Sequence, residues 1–136
     1  MRVLVTGASG QLGAYVLQHY VERDVLCVAW SGRNSGELHG VPLQPVDLAR
    51  TDEIEKHLNA AAPDLIIHCA AMSAVGEAFQ NSERAELINA TATERIAAWS
   101  TERKRRLVYI STDMVFDGEK GNYREDDEAN PLSHYG

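Results

Sequence analysis

The first thirteen residues constrain the fold more than any other stretch. Val3-Leu4-Val5 is a short apolar run that meets Gly7, Gly10 and Gly13, and a helical pattern follows at once. A strand, a tight turn and a helix start, in that order, are the build of a dinucleotide-binding turn. Gly7 permits a sharp reversal. Gly10 lets the backbone approach a pyrophosphate, and Gly13 lets the helix pack close to the sheet. Ser9, Gln11 and Leu12 complete the loop, whose free helix amides and dipole suit phosphate. The spacing is GxxGxxG rather than GxGxxG, and alone it also fits a plain glycine turn. The flanking strand and helix favour the nucleotide reading.

The rest of the chain alternates strand-like and helix-like segments. Leu12, Val16, Leu17, Tyr20 and Val21 recur at helical spacing, so residues 11–22 read as a helix. Residues 25–30 form a continuous apolar run, as buried parallel strands do. A loop over 31–36 precedes a short strand at 41–46, placed near an edge by Pro42 and Pro45. Thr51 reads as the N-cap of a helix over 52–61. A strand at 65–69 follows, then a helix over 83–100 with Leu87, Ile88, Ile96 and Trp99 inward, and a buried strand at 107–110. From 111 to about 131 no period is visible, and loops of that length are often functional. The expectation is one α/β domain over residues 1–136, a doubly wound parallel sheet of Rossmann-like NAD(P)-binding type. Ligands in such sheets bind beyond the strands' C-terminal ends. That rim collects Gly7–Gly13, residues 31–34, Asp47, residues 69–72 and residues 111–113.

Composition removes several function classes. A net charge of −7 argues against a nucleic-acid partner, which needs a basic face. The basic run Arg103-Lys104-Arg105-Arg106 reads as a solvated turn, and Glu125-Asp126-Asp127-Glu128 as a solvent-facing acidic stretch. Cys27 and Cys69 lie in apolar stretches without metal spacing, and are expected as buried free thiols in a reducing compartment. The start MRVLVTG is not a signal peptide, and no window has the length of a membrane span, so a cytoplasmic protein without membrane contact is expected. The five histidines share no ligand spacing, and no metal is assigned. His68 reads as a packed strand-end residue.

Arg33 follows the second strand, where an adenosine ribose would sit. An acidic residue there would hold a 2′-hydroxyl, whereas an arginine can pair with a 2′-phosphate, which favours NADPH over NADH. A solvent-facing arginine is the plain alternative.

Two blocks then carry a resemblance. Thr6-Gly7-Ala8-Ser9-Gly10-Gln11-Leu12-Gly13 resembles the cofactor loop of extended short-chain dehydrogenases/reductases. Ser111-Thr112-Asp113-Met114-Val115-Phe116-Asp117-Gly118, with Asn130-Pro131-Leu132 and Tyr135-Gly136, resembles their dTDP-4-dehydrorhamnose reductase branch, over the N-terminal half of those enzymes. The resemblance implies an NAD(P)H-dependent reductase of a nucleotide-linked 4-keto-sugar, in deoxysugar formation of the dTDP-rhamnose kind. It implies that Thr112 hydrogen-bonds the substrate carbonyl and Tyr135 protonates it as hydride arrives. It places Asp47 and Leu48 near adenine, Ala70, Ala71 and Met72 along the cofactor, and Asn89 in the proton relay. The family often has an aromatic at the position of Met72. Its lysine four residues after the tyrosine, which stabilises the phenolate, falls beyond Gly136, so the chain is expected to stop inside the catalytic helix. Bland readings stand beside these: a hydroxyl capping a turn for Thr112, an ordinary aromatic for Tyr135, a helix-start residue for Asp47, a surface polar residue for Asn89. Two other functions compete, a non-catalytic NAD(P)-binding regulatory module and a sugar-nucleotide epimerase or dehydratase. A homodimer is left open.

Overall fold

The computed structural model describes residues 1–136. Six strands form one sheet: β1 (Arg2–Thr6), β2 (Leu26–Ser31), β3 (Gly36–Leu38), β4 (Val41–Pro45), β5 (Leu65–His68) and β6 (Arg106–Tyr109). Their order is β3-β4-β2-β1-β5-β6, parallel throughout except for the β3–β4 hairpin. The chain builds outward from β1 to β2 and β4, then returns to lay β5 on β1's other side. That reversal between β1 and β5 is a topological switch point, where open α/β sheets bind ligands. The architecture is the doubly wound, Rossmann-like one that the alternation of elements implies.

Helices cover both faces: α1 (Gln11–Val21), α2 (Ile54–Ala61), α3 (Val75–Gln80), α4 (Ser82–Glu86) and α5 (Ala92–Glu102). Alternation along β1 distributes the core between them. Leu4 points into a cluster with Trp30, Ile54, Leu58, Ile66, Ile96 and Trp99, under α2 and α5. Its neighbours Val3 and Val5 point the other way, onto Leu17 of α1 with Ala29 and Ile67. Full burial of side chains this size is worth about 1.5–3 kcal/mol each. The α2–α5 contact also carries a polar lock, the Trp99 indole N–H donating to Asn59 Oδ1 at 2.8 Å.

Several expectations need correction. The long helix over 83–100 is interrupted: α4 passes into a π-helical turn at Leu87–Thr91 and only then into α5. Leu87 is exposed, while Ile96 and Trp99 are buried. The helix after Thr51 begins three residues later, at Ile54, behind Glu53 and with no side-chain cap. Residues 31–36 are not all loop, because Gly36 opens β3. β6 is not buried: Val108 and Tyr109 are nearly half exposed, because the strand is the open sheet edge. Both cysteines are free but only half-buried. No helix is long and apolar enough to cross a membrane.

Candidate functional site

A cleft of about 640 Å³ opens at the C-terminal ends of β1, β2, β4 and β5. The glycine turn forms its floor. Gly7 has φ +65°, and a Cβ there would lie 2.8 Å from the Ala70 backbone. A Cβ on Gly13 would lie 2.7 Å from the Gly7 carbonyl carbon, so helix and turn touch backbone to backbone. The turn is pinned from within by Gly10 N–H donating to the Gly7 carbonyl, and from the side by Ala8 N–H donating to Trp30, both at 2.9 Å. Gly10 precedes α1 without capping it by a side chain, and no acidic residue lies in its first turn. The first amides of this eleven-residue helix therefore face the cleft without a side-chain acceptor. Bare backbone where any side chain would intrude, with amides directed into the space, fits a pyrophosphate.

The structure brings nearly every expected binding residue to this cleft. Gly7, Ser9, Gly10, Gln11, Leu12, Gly13, Arg33, Asp47, Leu48, Ala70, Ala71 and Met72 line it. Leu48 is also part of the core. Asn89 stands behind the wall rather than in it. Its side chain accepts from the Met72 amide at 2.8 Å and donates to the Met72 carbonyl at 3.1 Å, so it clamps one lining residue from both sides. Asn89 lies within the π-helical turn. Such bulges gather at functional sites.

Thr112 and Tyr135 are not among the lining residues. Thr112 Oγ1 accepts from the Met114 amide at 3.2 Å and donates to Asp113 Oδ1 at 3.3 Å, which is the turn-capping arrangement. Tyr135 follows His134, which lines a second hollow of about 610 Å³ with Val75, Phe79 and Pro131. The last residues fold back toward Thr112: Asn130 N–H donates to the Val115 carbonyl at 2.9 Å, and Gly136 packs on the Met114 backbone. The segment between is knit by Asp117, which accepts from the Tyr123 hydroxyl, the Glu119 amide and Asn130 Nδ2. The Tyr123 hydroxyl, the Glu119 amide and the Asn130 amide together hold the Asp117 carboxyl down to about 2. Asp127 in the acidic stretch is tied to Lys120 at 2.6 Å, so that residue is paired rather than simply solvated.

Arg84 and Glu77 also line the cleft and escaped the sequence reading. Arg84 Nη2 contacts both carboxylate oxygens of Asp47, at 2.8 and 3.1 Å, across 37 residues of chain. Partial burial raises the Asp47 pKa, but the Arg84 and Ala49 hydrogen bonds with the Arg84 and Arg33 charges outweigh it, and the net shift is downward. No spacing in the sequence connects positions 47 and 84. Cys69 lies on the rim, and its burial pushes the thiol pKa up, away from a reactive thiolate.

The family model described as the RmlD substrate binding domain matches residues 1–136. The chain belongs to that family. It is 36% identical to the probable low-salt glycan biosynthesis reductase Agl14 of Haloferax volcanii, over 100% of the chain and 45% of that protein. It is 33% identical to methionine adenosyltransferase 2 subunit beta of Xenopus tropicalis, over 99% of the chain and 39% of that protein. The chain thus spans less than half the length of these relatives. Among solved structures, a hypothetical dTDP-4-dehydrorhamnose reductase from Sulfolobus tokodaii superposes with a TM-score of 0.86 at 40% identity, covering 100% of this chain and 48% of that one. The dTDP-4-dehydrorhamnose reductase of Bacillus anthracis, solved in complex with NADP, gives 0.80 at 28% identity over 98% of this chain and 44% of that one.

Proposed function

We propose that this RmlD-family chain binds NADPH in the cleft and serves the reduction of a nucleotide-linked 4-keto-sugar. The observation that carries the proposal is the bare glycine turn under the uncapped α1 N-terminus, with Arg33 after β2 on the same cleft. Likeness to a dTDP-4-dehydrorhamnose reductase solved with NADP supports it. The backbone of Gly10–Gly13 would hold the pyrophosphate, Arg33 the 2′-phosphate, and Asp47 the adenine edge. Ala70, Ala71 and Met72 would lie along the nicotinamide half. NADPH, when bound, supplies the hydride.

The chain's own residues would handle the proton. Thr112 Oγ1–H, released from Asp113, hydrogen-bonds the keto oxygen, and Tyr135 donates its phenolic proton to that oxygen. Holding the two hydroxyls around one oxygen would lower the entropic cost of the step. The test is NADPH oxidation by the intact protein with dTDP-4-dehydrorhamnose as substrate. Tyr135→Phe is expected to slow turnover at least about a hundredfold, the usual worth of a positioned general acid, while leaving NADPH affinity intact. Unchanged turnover would remove Tyr135 from the mechanism.

A second reading is favoured by one specific observation, the 33% identity to a protein named as a subunit of methionine adenosyltransferase 2. On that reading the chain binds the cofactor without turning over a sugar. Saturable NADPH binding with no oxidation in the presence of any 4-keto-sugar would select it.

A further inference from the structure

The cleft wall is connected to the glycine turn by a line of side chains through the interior. Thr6 ends β1 and His68 ends β5, paired across the sheet and both fully buried. Thr6 Oγ1 lies 2.6 Å from His68 Nδ1. His68 Nε2 lies 3.0 Å from Thr93 Oγ1 on α5. Thr93 Oγ1 donates to the Asn89 carbonyl at 2.7 Å. Asn89 then clamps Met72.

Proton accounting along this line has one solution. The Asn89 carbonyl can only accept, so the Thr93 hydroxyl proton is committed to it. Thr93 Oγ1 must then accept from His68, which puts a proton on Nε2. At the other end the Ala70 amide donates to Thr6 Oγ1 at 3.2 Å. A neutral ring leaves Nδ1 as an acceptor for the Thr6 hydroxyl proton, and every group is satisfied. A second ring proton on Nδ1 would turn that contact around and leave the Thr6 hydroxyl without an acceptor. The order is therefore Ala70 N–H to Thr6, Thr6 O–H to His68, His68 Nε2–H to Thr93, and Thr93 O–H to Asn89.

We propose that His68 is a positioning residue for the cofactor cleft: as the neutral Nε2–H tautomer it fixes Thr93, and through Thr93 the Asn89 clamp on Met72. The inference rests on the reading of the cleft as a cofactor site. Its physical basis is directional. The apolar driving force that holds α5 against the sheet is non-directional, whereas hydrogen bonds with a single proton order add a directional restraint on rotation and slide. The π-helical turn makes this necessary, because it displaces Asn89 from the regular helical register. Thr6, one residue before the glycine turn, and His68, four before Met72, then set both walls of the cleft from one pair of adjacent strand ends.

The test is a double-mutant cycle in the intact protein, read by NADPH affinity, by exchange of the Met72 amide, and by the nitrogen-15 spectrum of the His68 ring. Thr93→Val is expected to weaken NADPH binding roughly fivefold, the worth of one buried hydrogen bond, and Thr93→Ser to restore it. In an Asn89→Ala background Thr93→Val should add less than about twofold, since both act through one clamp. The ring spectrum should show the Nε2–H tautomer from pH 5 to 8. Equal losses in both backgrounds, or an Nδ1–H ring, would overturn the proposal. Should the wild type bind no NADPH, the cofactor reading fails by itself and Met72 exchange decides the linkage. Faster exchange in Thr93→Val but not in Thr93→Ser supports it, and unchanged exchange overturns it.

Discussion

Gly13 shows at one residue how fold and site share a constraint. It is buried, on α1, with a would-be Cβ 2.7 Å from the Gly7 carbonyl carbon and 3.0 Å from Ala8 Cα. Both neighbours are backbone, so nothing cheap can move aside. Gly13→Ala should destabilise the protein by about 1–3 kcal/mol, as overpacking does, and lift α1 from the turn. A urea midpoint equal to that of the wild type would contradict the close approach. Arg33 tests selectivity rather than stability. It is exposed on the cleft rim, so Arg33→Ala should leave the midpoint unchanged and weaken NADPH about tenfold, with NADH affinity unaltered. Equal losses for both cofactors would take Arg33 away from the 2′-phosphate. At this scale a residue's place on the cleft is legible wherever it follows from its own backbone or its position after a strand, as for Gly7, Gly13, Arg33 and Asp47. The sequence was silent on Arg84, whose role depends on an ion pair with a residue 37 positions away. For Asn89 the residues alone could not tell a surface polar group from a clamp on Met72, because the distinction lies in a fold-dependent contact.

At the level of elements, legibility followed the apolar period. β1, α1, β2 and β5 were readable within one or two residues, since each buries a continuous run or a regular stripe. The three-residue β3 was not, because Gly36-Glu37-Leu38 has no pattern of its own and is a strand only by pairing with β4. β6 misled for the opposite reason. Its apolar residues read as interior, yet the sheet order leaves it at an open edge. The π-helical turn was invisible because no residue in Leu87–Thr91 marks a break, with neither Gly nor Pro there. What holds α5 in place after that irregularity includes the Trp99–Asn59 bond to α2. Asn59→Ala leaves the indole N–H without its acceptor, and Trp99 is 5% exposed. Asn59 is itself exposed, so water can reach the indole N–H, and the expected cost is about 1 kcal/mol, measured by chemical denaturation. Asn59→Asp retains an acceptor and should recover most of it. A loss no smaller in Asn59→Asp than in Asn59→Ala would mean that the bond is not what matters.

For the molecule as a whole, the buried polar line through His68 ties stability to pH. Burial lowers the His68 pKa from 6.5 to about 4. The unfolded chain therefore binds a proton between these values that the folded chain refuses, and acid favours unfolding across that window. The contribution is complete above pH 6.5, declines as pH falls toward 4, and changes no further below it. Its size is about 3 kcal/mol, a large part of the stability of a domain this small. Asp117 acts in a lower window. Its folded pKa, held to about 2 against an ordinary 3.8, gives a stabilisation present above 3.8 and lost as pH falls toward 2. The two losses are therefore separated along the pH axis. Urea midpoints taken in half-unit steps from pH 7.5 to 2.5 should fall in two stages. His68→Gln, with no ring to protonate, should flatten the upper stage relative to wild type while keeping the lower one. Asp117→Asn should keep the upper stage and make the lower one shallower, the remainder coming from Asp47, Asp64 and Asp127, whose carboxyls are also held down. An upper stage of equal slope in wild type and His68→Gln would show that the buried histidine is not its source.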